Sequence, residues 1–445
     1  AIGFEALKTE DAHGFNTAIG YQALKVQDAG ADAYNTAVGY QAGLDISTGV
    51  RNTLVGGTAG TNLTTGGENI AVGYGALFTD DLGSHNVAVG VSALQNQNFA
   101  TATDSHNTAV GFSAGLSVTT GVNNTLIGAL AGDALTDSDN NVAVGTGALS
   151  SDTLGKHTVA IGQGALNVQN FATAIVSDNT AVGYNAGGAV TTGTQNTFIG
   201  SLSGDALTDA DFNTAIGYGS LSSDTLGSRS TAVGYLALNA QNFTTATDVY
   251  NTAVGMFAGG SVTTGTQNTL IGGLAGDALV DAHFNTAVGF TALSTDTESN
   301  YNTAIGYRAL LSLNNTTSTN SYNTAVGTQA GEAVTTGTIN TLLGSFAGLG
   351  LTSGNNNTAL GYAALSTDTL GDRNVAVGVL ALGAQNFTTS TDSYNVGIGY
   401  NAGASITTGV QNTVVGSLAG DAITTGNFNV SLGYASLSGN TVGFG

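Results

Sequence analysis

The chain has 445 residues and contains no cysteine, no proline, no tryptophan and one methionine. Without cysteine, neither a disulfide framework nor a thiolate metal site can form. Only 7 Lys and Arg stand against 29 Asp and Glu, so the formal net charge is −22. This balance argues against nucleic acid as a partner, because the chain has too few cations to replace the counterions of a phosphate backbone.

Long apolar runs are also absent. No stretch reaches the roughly 18 apolar residues that a membrane-spanning helix requires. The chain does not open with a basic segment followed by an apolar one, as a secretory signal would. We therefore expect no membrane insertion of this segment.

The chain is rich in glycine, with 67 residues, and it is internally repetitive from Asn35 onward. Its 72-residue super-repeats are 35–106, 107–178, 179–250, 251–322 and 323–394, with a partial copy at 395–445. Inside the first, one short theme opens at Asn35, Asn52, Asn69 and Asn86, which gives three 17-residue rungs and a final 21-residue rung. This periodicity predicts an all-β, parallel β-solenoid in which residues 1–445 form a single repetitive body.

Counting its Asn as slot zero, a rung reads Asn, Thr or Val, small apolar, Val or Ile, Gly, then an aromatic or variable residue, a variable residue, Ala or Ser, and Leu or Gly. Twenty-four rungs start between residues 16 and 429, and slot four is Gly in all of them. Slot zero is Asn except at Thr158 and Ser230. The pattern predicts a short strand, with the Asn side chain bound to nearby backbone or stacked on the next Asn.

The glycine of slot four has two alternative explanations in the sequence. It supplies an unusual backbone conformation, or it makes room where another backbone approaches closely. The ladder residues that open the super-repeats are Asn35, Gly39, Asn107, Gly111, Asn179, Gly183, Asn251, Gly255, Asn323, Gly327, Asn395 and Gly399.

Side chains alternate along a strand, so slots one, three and five share one face and slots two, four and six share the other. Small residues at slots two, four and seven lead us to expect that a second surface packs closely against the outer side of the solenoid. The expected partner is the chain itself, as a homotrimer or a filament.

Two sets of aromatic residues are candidates for contact with other molecules. The 21-residue rung carries an extra loop, and its Phe99, Phe243 and Phe387 are expected to form a surface contact. Tyrosines recur at slot five, where they either pack between rungs or stack on carbohydrate. They include Tyr40, Tyr184, Tyr218, Tyr235, Tyr307, Tyr362 and Tyr400.

Two acidic loops are candidate calcium sites, because oxygen-rich loops suit Ca²⁺. Their carboxylates are Asp133, Asp137 and Asp139 in one loop and Asp205, Asp209 and Asp211 in the other. Turn capping by aspartate is the simpler explanation of these residues. Calcium is the one cofactor that the sequence suggests.

Histidine gives no support to catalysis. Each histidine stands just ahead of a rung, without a repeated nucleophile and carboxylate around it, so we interpret all five as solvated turn residues. They are His13, His85, His106, His157 and His283. No catalytic residue is predicted, and we do not expect an enzyme.

The motifs NTAVGY, NVAVG and NTAIG resemble the repeats in the head of trimeric autotransporter adhesins (YadA-like), and also the NTAxGYxAL repeats of bacterial and phage tail-fibre proteins. The resemblance covers nearly the whole chain. It implies a left-handed β-roll that trimerises, located extracellularly, on a cell surface or on a virion.

The function expected from these observations is that of a non-enzymatic structural fibre. It would be the rigid shaft of a surface adhesin or phage tail fibre, presenting a region that binds a carbohydrate or protein receptor. We expect the anchor and tip domains to lie outside this segment. The alternative is a subunit of a self-assembling extracellular filament or sheath that binds no specific receptor.

Overall fold

The computed structural model describes residues 1–10, 14–439 and 441–442, and His13 lies outside them. Over these residues the protein is an all-β parallel β-solenoid of about 24 turns, most of them 17-residue rungs, and it contains no helix. The chain divides into two compact units, Ala1–Gly219 and Ser220–Gly445. Each unit contains twelve of the three-residue strands that the rung theme predicts.

The three-residue strands cover slots one to three of every rung. In the first unit they are Thr17–Ile19, Thr36–Val38, Thr53–Val55, Ile70–Val72, Val87–Val89, Thr108–Val110, Thr125–Ile127, Val142–Val144, Val159–Ile161, Thr180–Val182, Thr197–Ile199 and Thr214–Ile216. In the second they are Thr231–Val233, Thr252–Val254, Thr269–Ile271, Thr286–Val288, Thr303–Ile305, Thr324–Val326, Thr341–Leu343, Thr358–Leu360, Val375–Val377, Val396–Ile398, Thr413–Val415 and Val430–Leu432.

Each of these strands pairs with the strand of the next rung in its unit, parallel and slot by slot. Thr36 lies opposite Thr53, for example, and Val38 lies opposite Val55. The predicted parallel solenoid and its 17-residue turn are therefore confirmed.

Two-residue strands add a second, shorter ladder at the 21-residue rungs. In the first unit they are Gly83–Ser84, Thr103–Asp104, Gly155–Lys156 and Ile175–Val176; in the second they are Gly227–Ser228, Thr247–Asp248, Ser299–Asn300, Thr319–Asn320, Gly371–Asp372 and Thr391–Asp392. They pair in parallel across the extra loop, as when Ser84 lies opposite Asp104. The extra loop is thus held back against the solenoid wall.

The core of each unit is built from slots two, seven and eight. Ala37 at slot two, Ala42 at slot seven and Leu24 at slot eight are completely buried within the chain. The expectation that the small residues of slots two and seven form an outer packing surface is therefore wrong. A closed turn as short as one rung encloses a narrow interior, and alanine and leucine are the side chains that fill it.

Both explanations that the sequence left open apply to the glycine of slot four: an unusual backbone conformation and the close approach of another backbone. Gly39 has φ of 148°, a conformation that L side chains rarely adopt. A Cβ built on Gly39 would also overlap the carbonyl oxygen of Gly56, the slot-four residue of the next rung. Any other residue would combine backbone strain with a steric clash.

The asparagines of slot zero form a buried ladder. Asn107 Oδ1 accepts a hydrogen bond from the backbone N–H of Asn124, 2.9 Å away, and Asn107 Nδ2 donates to the carbonyl of Gly121 at 2.7 Å. The same two bonds occur at Asn35, Asn179, Asn251, Asn323 and Asn395. The side chain therefore binds backbone groups on both sides, which a buried amide requires.

Candidate functional site

The outward face of the strands is the most extensive feature that a partner could contact. We call slots one, three and five together the outer face. All 24 slot-three residues are Val, Ile or Leu, and none of them is buried. No charged residue occupies slot one, three or five of any rung. Each unit therefore presents a continuous uncharged, largely apolar column in a strongly acidic chain.

Aromatic rings at slot five extend this outer face. Neighbouring rings stack where they follow each other, as Tyr21 does on Tyr40 with centroids 5.3 Å apart. Tyr40 and Tyr184 nevertheless remain 54% and 56% exposed. The rings therefore pack between rungs and are exposed at the same time. Packing between rungs does not exclude stacking on carbohydrate, the other interpretation of these tyrosines.

The phenylalanines of the extra loop are buried, which corrects the expectation that they form a surface contact. Phe99, Phe243 and Phe387 are 5%, 7% and 5% exposed, so their rings belong to the interior. Phe171 lies at the equivalent position and is 4% exposed, although the sequence analysis did not single it out. Loop residues such as Ala246 remain exposed, while buried polar groups hold the base of the loop.

Those polar groups are a carboxylate and an amide at the base of the loop. Asp80 and Gln97 are fully buried, and Gln97 Nε2 donates to Asp80 Oδ2 at 2.6 Å. Gln97 Oε1 accepts from Asn107 Nδ2 at 2.8 Å, which connects the loop to the asparagine ladder. Burial raises the pKa of Asp80 to about 6. Burial also raises the pKa of Asp152, Asp296 and Asp368 at the equivalent positions.

In the acidic loops, aspartate side chains bond to groups of the preceding rung. Asp137 accepts from Thr120 Oγ1 at 2.9 Å, and Asp139 accepts from the backbone N–H of Val122 at 3.0 Å. Burial raises the pKa of Asp133, whose Oδ1 lies buried without a hydrogen-bond partner. Within the described residues, these three carboxylates do not form a group close enough to share one ion.

The second acidic loop has the same arrangement, and calcium binding at the two loops stays a prediction. Asp209 accepts from Thr192 Oγ1 at 2.6 Å, and Asp211 accepts from the backbone N–H of Thr194 at 2.6 Å. Burial raises the pKa of Asp205. The aspartates bond to groups of the preceding rung, so most of them stabilise turns rather than converge on a cation.

One cluster that the sequence analysis missed is brought together by the fold. His85, Asp104 and His106 form the only group of three metal-ligating side chains in the described part of the chain. The signal was present in the sequence, because His85 and His106 each stand directly before the slot-zero asparagine and thus occupy the same position in consecutive rungs. His157 and His283 lie elsewhere, the latter accepting from the backbone N–H of Thr266 at 3.0 Å.

Two surface depressions of about 370 and 390 Å³ lie beside the core slots. The first contains Asp277 as its one carboxylate, and the second is lined by residues such as Gln41, Thr61 and Tyr74. The first also contains the hydroxyl of Ser261, and no histidine among the described residues lines either depression.

Among the residues that the structure describes, no helix has the length and hydropathy to cross a membrane. No protein-family model matches the chain, and no curated protein matches its sequence.

Proposed function

We propose that this chain is the shaft segment of a non-enzymatic, extracellular structural fibre: a left-handed β-roll that assembles as a homotrimer and presents a surface-binding region of an adhesin or phage tail fibre. The observation that carries the proposal is the outer face. Twelve aliphatic side chains at slot three, with Thr or aliphatic residues at slot one, remain partly solvent-exposed along each unit. Monomeric proteins rarely expose apolar columns of this extent.

The occupant of the outer face is a second and a third copy of the same chain. A copy has the same spacing between rungs, so its aliphatic column meets this one rung by rung over the whole of each unit. Because the face carries no charge, it is the part of a chain with net charge −22 that a copy can approach without like-charge repulsion. Each square ångström of apolar surface buried there contributes about 25 cal/mol.

The rest of the molecule supports a structural role. Its interior is filled with alanine, leucine and hydrogen-bonded asparagine. Within each unit the strands pair from rung to rung, and such a ladder resists bending and unfolding, as a shaft requires. The runner-up is a filament or sheath subunit, in which the same face joins copies into an open assembly.

The test is the solution mass of the chain, measured by light scattering after size exclusion. A mass of three chains supports the trimer, and open-ended growth supports the filament. A monomer over the whole accessible concentration range would overturn both.

Variants of the outer face make this test specific. Val182→Glu together with Val254→Glu places one charge on the slot-three column of each unit and should convert the trimer to monomers, because six carboxylates would be buried. Ala246→Glu changes an exposed loop residue outside the column and should leave the mass unchanged. Equal masses for the two variants would show that slot three is not the contact.

A further inference from the structure

We propose that His85, Asp104 and His106 form a zinc site on the first unit. Their ligand atoms all lie within 4.8 Å of one another. His85 Nδ1 is 3.0 Å from Asp104 Oδ1, and the two imidazole rings stack with centroids 5.0 Å apart. Imidazole nitrogen and carboxylate oxygen are ligands that Zn²⁺ prefers in proteins.

The fold holds the three side chains in place from two consecutive rungs. His85 and His106 each precede the slot-zero asparagine of their rung, and both have a left-handed backbone, with φ of 63° and 50°. Asp104 lies in a two-residue strand whose pairing puts it beside Ser84, the residue before His85. The ligands are therefore positioned by parallel strand pairing.

The geometry is that of an open site with three protein ligands. Around a tetrahedral zinc with bonds of about 2.0–2.1 Å, ligand atoms lie about 3.3 Å apart. The group is already within 4.8 Å, and the side chain of Asp104, which is 68% exposed, can rotate to close the remaining distance. The side of the site that faces solvent leaves the fourth coordination position of the ion to water.

A positioning residue stands behind His85. His85 Nε2 lies 3.2 Å from Glu68 Oε2, while Glu68 Oε1 accepts from Arg51 at 2.6 Å. A metal-binding histidine commonly donates its second ring N–H to a carboxylate, which fixes the ring and its tautomer. In His85, the bond to Glu68 occupies Nε2. Nδ1, which lies on the side of Asp104, is then the atom that binds zinc. Arg51 and Glu68 occupy the same position as His85 in the two preceding rungs.

The other super-repeats show that this corner does not need imidazoles to fold. At the equivalent place in the third, Arg229 Nε lies 2.8 Å from Asp248 Oδ1, and its guanidinium lies over Tyr250 at 5.8 Å. In the fifth, Arg373 pairs with Asp392 and lies over Tyr394. An arginine and a tyrosine thus replace the two histidines, and they keep the ion pair and the ring contact without offering a zinc ligand.

The experiment is calorimetric titration of the full chain with ZnCl₂ at neutral pH, and with CaCl₂ in parallel. Zinc should bind with one ion per chain at this site, whereas calcium, which prefers oxygen ligands, should not compete. The double variant His85→Arg/His106→Tyr copies the third super-repeat, so it should fold as the wild type does and bind zinc at least roughly tenfold more weakly. A circular dichroism spectrum unchanged from that of the wild type would show that the double variant is folded.

Two further variants separate the ligands from the positioning residue. Asp104→Asn keeps the shape of the ligand and should weaken zinc binding, while Glu68→Gln should weaken it by roughly tenfold with the stoichiometry retained. In NMR spectra, zinc should shift the ring signals of His85 and His106 and leave those of His157 unchanged. Absence of zinc binding, or equal affinity in the wild type and the double variant, would overturn the proposal.

Discussion

At the scale of single residues, the asparagine of slot zero and the glycine of slot four carry the main constraints on each rung. Asparagine is favoured at slot zero because its side chain offers a donor and an acceptor at once to buried backbone groups. Glycine at slot four is needed because of its positive φ and because of the close backbone of the next rung. The sequence could show that these slots are constrained, but the choice between the two explanations for glycine required coordinates.

The inward face could not be predicted in the same way. Strand alternation separates slots two and four from slots one and three, yet it does not say which set faces the interior. Alanine was expected outside because it permits close packing between chains. The structure places it inside because the turn is narrow, and it leaves the larger aliphatic residues of slot three outside.

The asparagine ladder gives a residue-scale prediction with a control provided by the chain itself. Asn107→Ala removes the partners of the Asn124 N–H, the Gly121 carbonyl and Gln97 Oε1. Because buried polar groups are left unpaired, we expect a loss of roughly 3 kcal/mol or more in the free energy of unfolding, measured by urea denaturation followed by circular dichroism.

The control is Asn86→Thr. The position equivalent to Asn86 in the next super-repeat is Thr158, whose Oγ1 bonds with Ser177 at 2.6 Å and accepts from Gln169. The first super-repeat has Ser105 and Gln97 at the matching places, so Asn86→Thr should cost less than about 1 kcal/mol. Equal losses for the two variants would contradict the role assigned to slot zero.

At the scale of elements, the 21-residue rung differs from the others in burying a carboxylate. The extra length of this rung allows a glutamine, such as Gln97, to reach the aspartate of the preceding rung. The sequence indicated an extra loop and predicted a surface contact by its phenylalanines, since nothing in its composition shows that Gln97 and Phe99 turn inward. The short pairing of Gly83–Ser84 with Thr103–Asp104 was also unforeseen, which is why the histidine cluster was missed.

The buried carboxylates predict the pH dependence of stability. Because the pKa of Asp80 is raised to about 6, the folded chain keeps this proton to a higher pH than the unfolded chain does. Its contribution is therefore fully present below about pH 4 and is lost as the pH rises to about 6, on the order of 3 kcal/mol. Asp152, Asp296 and Asp368 act in the same direction.

The measurement is the urea midpoint at a series of pH values between about 4 and 7, with the midpoint expected to fall as the pH rises. Asp80→Asn cannot titrate, so its midpoint should change less over this range than that of the wild type. A midpoint that increases with pH in both proteins would contradict the prediction.

At the scale of the whole molecule, charge opposes the proposed assembly. Three chains would carry 3 × −22 = −66 formal charges, while the uncharged outer face supplies the attraction. Added salt shortens the range of the electrostatic repulsion between chains. Its effect on the apolar contact between their outer faces is small compared with this screening. We therefore expect the trimer to dissociate at lower protein concentration in about 0.5 M NaCl than in about 0.02 M NaCl, as measured by light scattering.

A chelator should be present in this experiment so that divalent ions do not contribute. The loop variant Ala246→Glu adds one further charge per chain away from the outer face and should make the salt dependence slightly steeper. Equal dissociation at the two ionic strengths would show that repulsion between chains is not the opposing force.

The pairing of each rung with its nearest neighbours alone has a consequence for how such a chain changes during evolution. Hydrogen bonds between rungs connect groups that are close in the sequence, such as Asn107 with Asn124 and Asn86 with Asn107. Loss or duplication of one 72-residue block joins a fourth rung to a first rung, as the existing junctions already do. Recombination between copies can therefore lengthen or shorten the protein by whole blocks without creating a new kind of contact. The length of the protein is then set by the number of 72-residue blocks that its gene encodes.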